Sequence, residues 1–267
     1  MINDFKKEGF LLKKNFLDKG EIEKIRTDAK NVFLRQLLHK GYIKDINVPE
    51  SEFETALYKF FQEDLECYIN CGKMCQHLIS LHRLSLDERI ISEIQRLNIT
   101  TPNISTRPVM YFNSRFLAAS ESYYKSPVHQ DWRSMQGSLN SIVAWIPLVD
   151  IDKKLGTLEI IPKSHLWGLV ESEQDDWFRR IDGIDSNNFV SVDVEAGDVL
   201  FFSAFLIHQS GDNVTQSIRW SCHFRYNDLS ESTFIERGYP HPYIYKPQQE
   251  LITPNFPPLD LLIKAFS

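Results

Sequence analysis

The spacing of apolar residues changes character near residue 100. Before that point they recur every three to four positions, the period of a helix with one buried face. Ile22, Ile25, Ala29, Val32, Phe33 and Leu37 form such a stripe, with Asp18 as its start signal and Gly41 as its stop. The same spacing predicts a second helical region over 50–82, with Phe53, Leu57, Phe60, Phe61 and Leu65 on one face, and a third over 87–97. After Pro102, β-branched and aromatic residues alternate with polar ones, and turn residues return every eight to twelve positions. This predicts strands over 107–113, 128–132, 141–148, 157–161, 189–194, 199–203, 206–210 and 217–226, punctuated by Gly156, Gly197 and Gly211.

Short strands in that number, preceded by helices, predict a mainly β fold with a helical N-terminal part. The expected core is a double-stranded β-helix (jelly-roll, cupin-like) buttressed by the helices. No repeat, low-complexity stretch or linker divides the chain. The expectation is one domain over 1–267, with helical support over about 1–100, the core over about 102–227 and a tail over 228–267. The polar stretch 171–188 breaks the strand rhythm and reads equally as a lid or as a surface loop with a short helix.

Composition narrows the class. Of the 267 residues 42% are hydrophobic, with 18 Phe, 10 Tyr and 5 Trp, which suits a sizeable core and argues against disorder. A formal net charge of −6 argues against a nucleic-acid partner, while leaving room for a locally basic pocket. The first twenty residues lack the apolar core of a signal peptide, and no run approaches the roughly 18 apolar residues of a membrane span. The expected protein is therefore soluble and cytoplasmic, with no membrane partner. Four cysteines agree with a reducing compartment. Cys67, Cys71 and Cys75 would form a helical stripe, which spreads ligands along an axis instead of around a point, so packing is expected there rather than metal.

The segment Ser-Pro-Val-His-Gln-Asp-Trp-Arg-Ser-Met, 126–135, carries the first chemical signal. On a strand, His129 and Asp131 would share one face and offer an N and an O donor within chelating reach. Charged groups are rarely buried unless paired or metal-bound. A lone strand histidine is more often a hydrogen-bonded core residue, so the reading needs a third ligand from a distant strand. His208 is the candidate. With a turn at Gly211-Asp212-Asn213, a symmetric hairpin would put His208 opposite Arg219 and Ser210 opposite Ser217, all on one inner wall. Two imidazoles and a carboxylate form the facial triad of non-haem Fe(II) oxygenases, with open positions left on the metal. A 2-oxo acid can fill two of these, and the distal carboxylate of 2-oxoglutarate then needs a fixed cation. Arg219 supplies a planar fork for it and Ser210 a hydroxyl; the plainer reading of Arg219 is a surface ion pair.

These residues resemble the phytanoyl-CoA dioxygenase family of Fe(II)/2-oxoglutarate-dependent oxygenases, over roughly 102–226. His129, Asp131 and His208 match its iron motif. Arg219, eleven residues after His208, matches its 2-oxoglutarate arginine, and Ser210 matches the serine two residues after that histidine. Trp145 in Val-Ala-Trp-Ile-Pro-Leu matches a tryptophan that contacts the co-substrate. Leu-Gly-Thr-Leu-Glu-Ile-Ile-Pro-Lys-Ser-His and Glu-Ala-Gly-Asp-Val-Leu-Phe-Phe resemble two further stretches of the family. Lys163 departs from it, standing where glycine is usual, and His165 matches a structural position.

The resemblance implies an Fe(II)/2-oxoglutarate-dependent dioxygenase, with Fe(II), 2-oxoglutarate and O2 as cofactors and co-substrates and ascorbate as a candidate reductant. The implied reaction hydroxylates an unactivated C–H bond of a small-molecule metabolite and releases succinate and CO2. Retention of Asp131 favours this over halogenation. Desaturation, cyclisation or epimerisation by the same chemistry, and a non-catalytic jelly-roll ligand-binding protein, are the alternatives. Strand alternation makes Arg133, His223 and Arg225 candidate contacts for an anionic substrate, with Ser221 on the same face. Arg225 paired with an acidic neighbour at the barrel rim is the plainer reading. Met110 or Tyr111 would line the co-substrate pocket, according to register.

Overall fold

A computed structural model describes residues 2–118, 125–174 and 179–241, together with Asp260 and Lys264. Most of the tail expected over 228–267, and the middle of 171–188, lie outside the described residues.

The first hundred residues carry α1 (Ile2–Glu8), α2 (Lys19–His39), α3 (Glu50–Glu63), α4 (Leu65–Cys75), α5 (Ile79–Ser85) and α6 (Glu88–Arg96). Asp18 caps α2 by accepting from the amides of Gly20 and Glu21 at 2.8 and 3.2 Å, and Gly41 takes a φ of +78° just past its end. The span 50–82 is three helices where one region was expected. Asp64 leaves helical geometry and caps α4 through the Cys67 amide at 3.1 Å. Leu65, expected on the apolar face, instead opens α4 and is 37% exposed. The cysteine stripe does lie on α4; Cys71 and Cys75 are buried, and the Cys75 thiol donates to the Ala29 carbonyl. Among the described residues no helix is long and apolar enough to cross a membrane.

The strands are β1 (Phe10–Lys13), β2 (Pro102–Ile104), β3 (Val109–Asn113), β4 (Ile142–Pro147), β5 (Leu158–Ile160), β6 (Glu173–Gln174), β7 (Arg179–Arg180), β8 (Val190–Val192), β9 (Val199–Ser203), β10 (His208–Ser210) and β11 (Arg219–Asp228). A large antiparallel sheet runs β1-β9-β4-β11-β2, with β3 also paired to β11. A smaller one runs β10-β5-β8, and β6 pairs β7 as a separate ribbon. This is the expected jelly-roll pair of sheets. β1 and β2 add strands that the sequence pattern did not single out.

Alternation sorts the large sheet's side chains. Ile142, Ala144, Ile146, Val199 and Phe201 pack into the core shared with the helices. Their neighbours Val143, Trp145, Leu200 and Phe202 turn the other way, into the core shared with the small sheet. β11 follows the same rule. Trp220, Cys222, Phe224 and Tyr226 face the helices, and Trp220 packs edge-on to Phe112 with ring centroids 4.8 Å apart.

Two expectations about local geometry are corrected. β10 and β11 are not a hairpin: β10 pairs β5 in one sheet, and β11 pairs β3 and β4 in the other. His208 is therefore opposite Ile160, and Arg219 is opposite Asn113. Nor is 128–132 a strand. His129 makes an isolated bridge to His208, and Asp131, with φ −67° and ψ −28°, starts a short helix α7 (Trp132–Met135). Lys163 holds a φ of +70°, so the turn keeps the left-handed geometry that glycine would give it.

Candidate metal and co-substrate site

The histidines meet because their backbones pair. His129 N donates to His208 O at 3.0 Å, and His208 N donates to His129 O at 3.1 Å. This sets the two rings 4.2 Å apart, centroid to centroid. Asp131 reaches the same point because the chain bends at Gln130. The Gln130 amide donates to Gly168 O and Phe205 O at 2.8 and 2.7 Å and accepts from Val170 N at 2.9 Å. The bend, rather than strand alternation, aims the carboxylate.

One ligand atom from each of His129, Asp131 and His208 lies within 4.8 Å of the others, and all three residues are buried. The Asp131 carboxylate is 3.8 Å from His129 Nε2 and 3.9 Å from His208 Nε2. Each imidazole donates through Nδ1 to a main-chain carbonyl, His129 to Pro127 at 2.7 Å and His208 to Leu206 at 3.0 Å. A carbonyl can only accept, so in the neutral ring each Nε2 keeps its lone pair and points it at the cluster. Burial, helped by His208, pushes His129 down to about 3. Burial also lowers His208 and His223. Burial alone would raise Asp131, but Arg225, then His208 and His129, hold it far below the usual carboxylate range. The cluster thus presents two neutral imidazoles and a carboxylate, the donor set that suits a divalent transition metal.

Arg219 enters the same chamber from the opposite sheet, only 2% exposed. Its guanidinium donates to Ser210 Oγ at 3.1 Å and to Gly156 O, and its Nε has no hydrogen-bond partner among the described residues. Burial lowers its pKa to about 10, so it remains a cation at neutral pH. A buried cation held only by neutral acceptors is short of counter-charge, and an oxo-diacid spanning from metal to guanidinium would supply it. Trp145 lines this chamber, as does Tyr111; Met110 packs into the helix-side core instead.

The three substrate candidates part ways. Arg225 donates to Asp131 Oδ1 at 2.6 Å, so its acidic neighbour is the candidate ligand itself. His223 stays in the chamber, its ring 5.5 Å from that of Tyr111. Arg133 does not share Asp131's direction as a strand would require. It lies on α7, donates to Val170 O at 2.5 Å and borders a cleft of about 680 Å³ that opens from the metal cluster. Lys73, Arg107 and Arg179 line that cleft too, and sequence reasoning missed all three. Lys73 sits on α4, Arg107 between β2 and β3 and Arg179 on β7, with no local spacing to single any of them out.

A model of the phytanoyl-CoA dioxygenase (PhyH) family matches residues 5–221, and the chain belongs to that family. Among curated relatives, the peroxisomal phytanoyl-CoA dioxygenase of Bos taurus is 28% identical over 239 residues, which cover 82% of this chain. The chain spans 66% of that protein's length. Among solved structures, the non-heme monooxygenase ThoJ superposes with a TM-score of 0.60 at 18% identity, covering 85% of this chain and 76% of that one. The non-heme alpha-ketoglutarate-dependent epimerase SnoN gives 0.54 at 18% identity, covering 85% and 81%. These two likenesses place the fold.

Proposed function

We propose that this protein is an Fe(II)- and 2-oxoglutarate-dependent dioxygenase that hydroxylates an unactivated C–H bond of a small molecule. The observation that carries the reading is the meeting, in one buried chamber, of three metal-ligand atoms and a guanidinium that has no carboxylate partner among the described residues. His129, Asp131 and His208 would hold the iron. Arg219 and Ser210 would grip the distal carboxylate of 2-oxoglutarate, with Trp145 against its chain. When bound, the iron would supply the O2 activation and C–H oxidation, with one oxygen atom of O2 going to the product and the other to succinate as CO2 is released. The protein's own contribution is placement and exclusion of water. The main-chain carbonyls fix both imidazole tautomers, and Arg225 holds one carboxylate oxygen of Asp131.

The basic lining of the outer cleft supports a substrate with an anionic group. We read the chain as one domain, because a single apolar cluster joins α2–α6 to the large sheet. Four free cysteines suit a reducing, cytoplasmic compartment.

The test is succinate release from 2-oxoglutarate with Fe(II) and ascorbate across a panel of metabolites, with product masses recorded. The wild type should release succinate and add one oxygen to its substrate. His208→Ala should lower metal affinity by at least about 100-fold. Arg219→Gln should raise the KM for 2-oxoglutarate by about 10- to 100-fold, the worth of one charged hydrogen-bond set. Full metal binding by His208→Ala would end the assignment.

A further inference from the structure

The cleft outside the metal cluster reverses the charge of the molecule around it. The chain carries a formal −6, yet Lys73, Arg107, Arg133, Arg179 and Arg225 all line this one opening. Among the described residues that line it, Asp131 is the only acidic one, and Arg225 already answers it at 2.6 Å. The remaining cations do not stand alike. Arg107 donates to the Gln76 side chain at 3.2 Å, and Lys73 is exposed on α4. Arg133 and Arg179 are held more firmly, and by neutral atoms. Arg133 donates to Val170 O at 2.5 Å, and its buried Nε has no partner among the described residues. Arg179 donates through Nε to Ser172 Oγ at 3.2 Å and through Nη2 to Ser172 O at 2.9 Å.

Carbonyl and hydroxyl oxygens orient a guanidinium without cancelling its charge. Among the described residues, no carboxylate forms an ion pair with either arginine. Both guanidiniums line the one cleft and carry the same charge, so each disfavours the other there. Two oriented, like-charged forks beside a cleft form a receptor for a planar or tetrahedral oxyanion, which relieves the repulsion and accepts from both.

We infer that Arg133 and Arg179 form a clasp for the carboxylate or phosphate of the substrate, held on the same wall as the metal cluster. This deepens the oxygenase reading and, for its reaction outcome, rests on it. The clasp fixes regiochemistry as well as affinity. Arg133 follows Asp131 by two residues, at the start of α7, so the anion is tied to the metal's own wall by one turn of backbone. Oxidation should therefore fall on a carbon near the acid. The rest of the substrate would run along the apolar side of the cleft, past Ile69, Val109 and Phe112.

The experiment has two arms. In the first, inorganic phosphate is titrated calorimetrically into the metal-free full-length protein, so that the outcome does not depend on turnover. Binding should weaken at least about tenfold in Arg133→Gln/Arg179→Gln, and should change little in Lys73→Gln/Arg107→Gln. Thermal unfolding of both variants reports whether they fold. No binding to the wild type, equal binding to the Arg133/Arg179 variant, or a loss confined to the Lys73/Arg107 variant would each overturn the clasp. In the second arm, the iron-loaded enzyme is offered small carboxylates and phosphate esters alongside their amides or neutral alcohols. The charged member of each pair should stimulate succinate release at lower concentration, and the new oxygen should lie near the acid. Release by neutral partners at equal concentration, or oxygen placed at the far end, would overturn the inference. Succinate release by none of them, with phosphate binding intact, would fault the oxygenase reading and leave the anion site standing.

Discussion

The two faces of the large sheet are both buried, yet they are made of different chemistry. On β11, Trp220, Cys222, Phe224 and Tyr226 turn toward the helices, and Arg219, Ser221, His223 and Arg225 turn toward the small sheet. Burial along the strand is nearly unbroken, so exposure alone would not separate them. The helix face is a close-packed apolar surface, where each side chain gains from leaving water. The inner face holds guanidinium, imidazole and hydroxyl groups that lose hydration, and Arg219 Nε, Ser221 Oγ and His223 Nε2 lack hydrogen-bond partners among the described residues. A strand that carries both is stabilised through one face and made reactive through the other.

The largest expected effect comes from breaking the helix face. Trp220→Ala removes a ring packed against Phe53 and Phe112 and should cost about 3–5 kcal/mol in chemical denaturation. The folded fraction should still bind metal and 2-oxoglutarate, since no atom of Trp220 borders the chamber. A parallel loss of both would mean that the faces are coupled.

Acid sharpens the contrast next. Cys222 and Tyr226 on the helix face have pKa values raised by burial, so they stay neutral through the physiological range. His129, His208 and His223 on the inner side have values lowered by burial. Below about pH 6.5 the unfolded chain takes up protons that the folded chain refuses, so stability falls as pH falls. For His129 the loss should approach about 1.4 kcal/mol per pH unit and continue down toward its folded value of about 3, with His208 and His223 adding in the same direction. Urea midpoints of metal-free protein between pH 7 and pH 5 measure this, and a flat profile would contradict the buried, neutral assignment.

The smallest effect lies away from both faces. Lys163→Gly relieves a side chain held at a φ of +70° and should stabilise by about 0.5–1 kcal/mol, read as a shift in thermal midpoint with unchanged metal affinity. A destabilised variant would show that the Lys163 side chain, 3.8 Å from the Glu8 carboxylate, matters more than its backbone.

Legibility in the sequence followed how local each cause was. The cap at Asp18, the stripe on α2 and the alternation on β4 and β9 depend on neighbours within a few residues, and all three are in the structure where the pattern placed them. The break at Asp64 was hidden because the apolar spacing continues across it. The hairpin expected between β10 and β11 failed for a different reason. A turn signal shows that the chain reverses, but not which strand it then pairs with.

By itself, then, the sequence determined the kinds of side chain available, the helix and strand periods, and the parity that sends Arg219, His223 and Arg225 to one face of their strand. Only the tertiary structure decided that His129 pairs with His208, that the Gln130 bend delivers Asp131, and that Arg219 reaches Ser210 across the two sheets. The same is true of the outer cations: Lys73 comes from α4, Arg107 from the link between β2 and β3, Arg133 from α7 and Arg179 from the β6–β7 ribbon. Periodicity is a property of adjacent bonds. Convergence of distant groups depends on how sheets twist and helices pack, and no short window of residues contains that information.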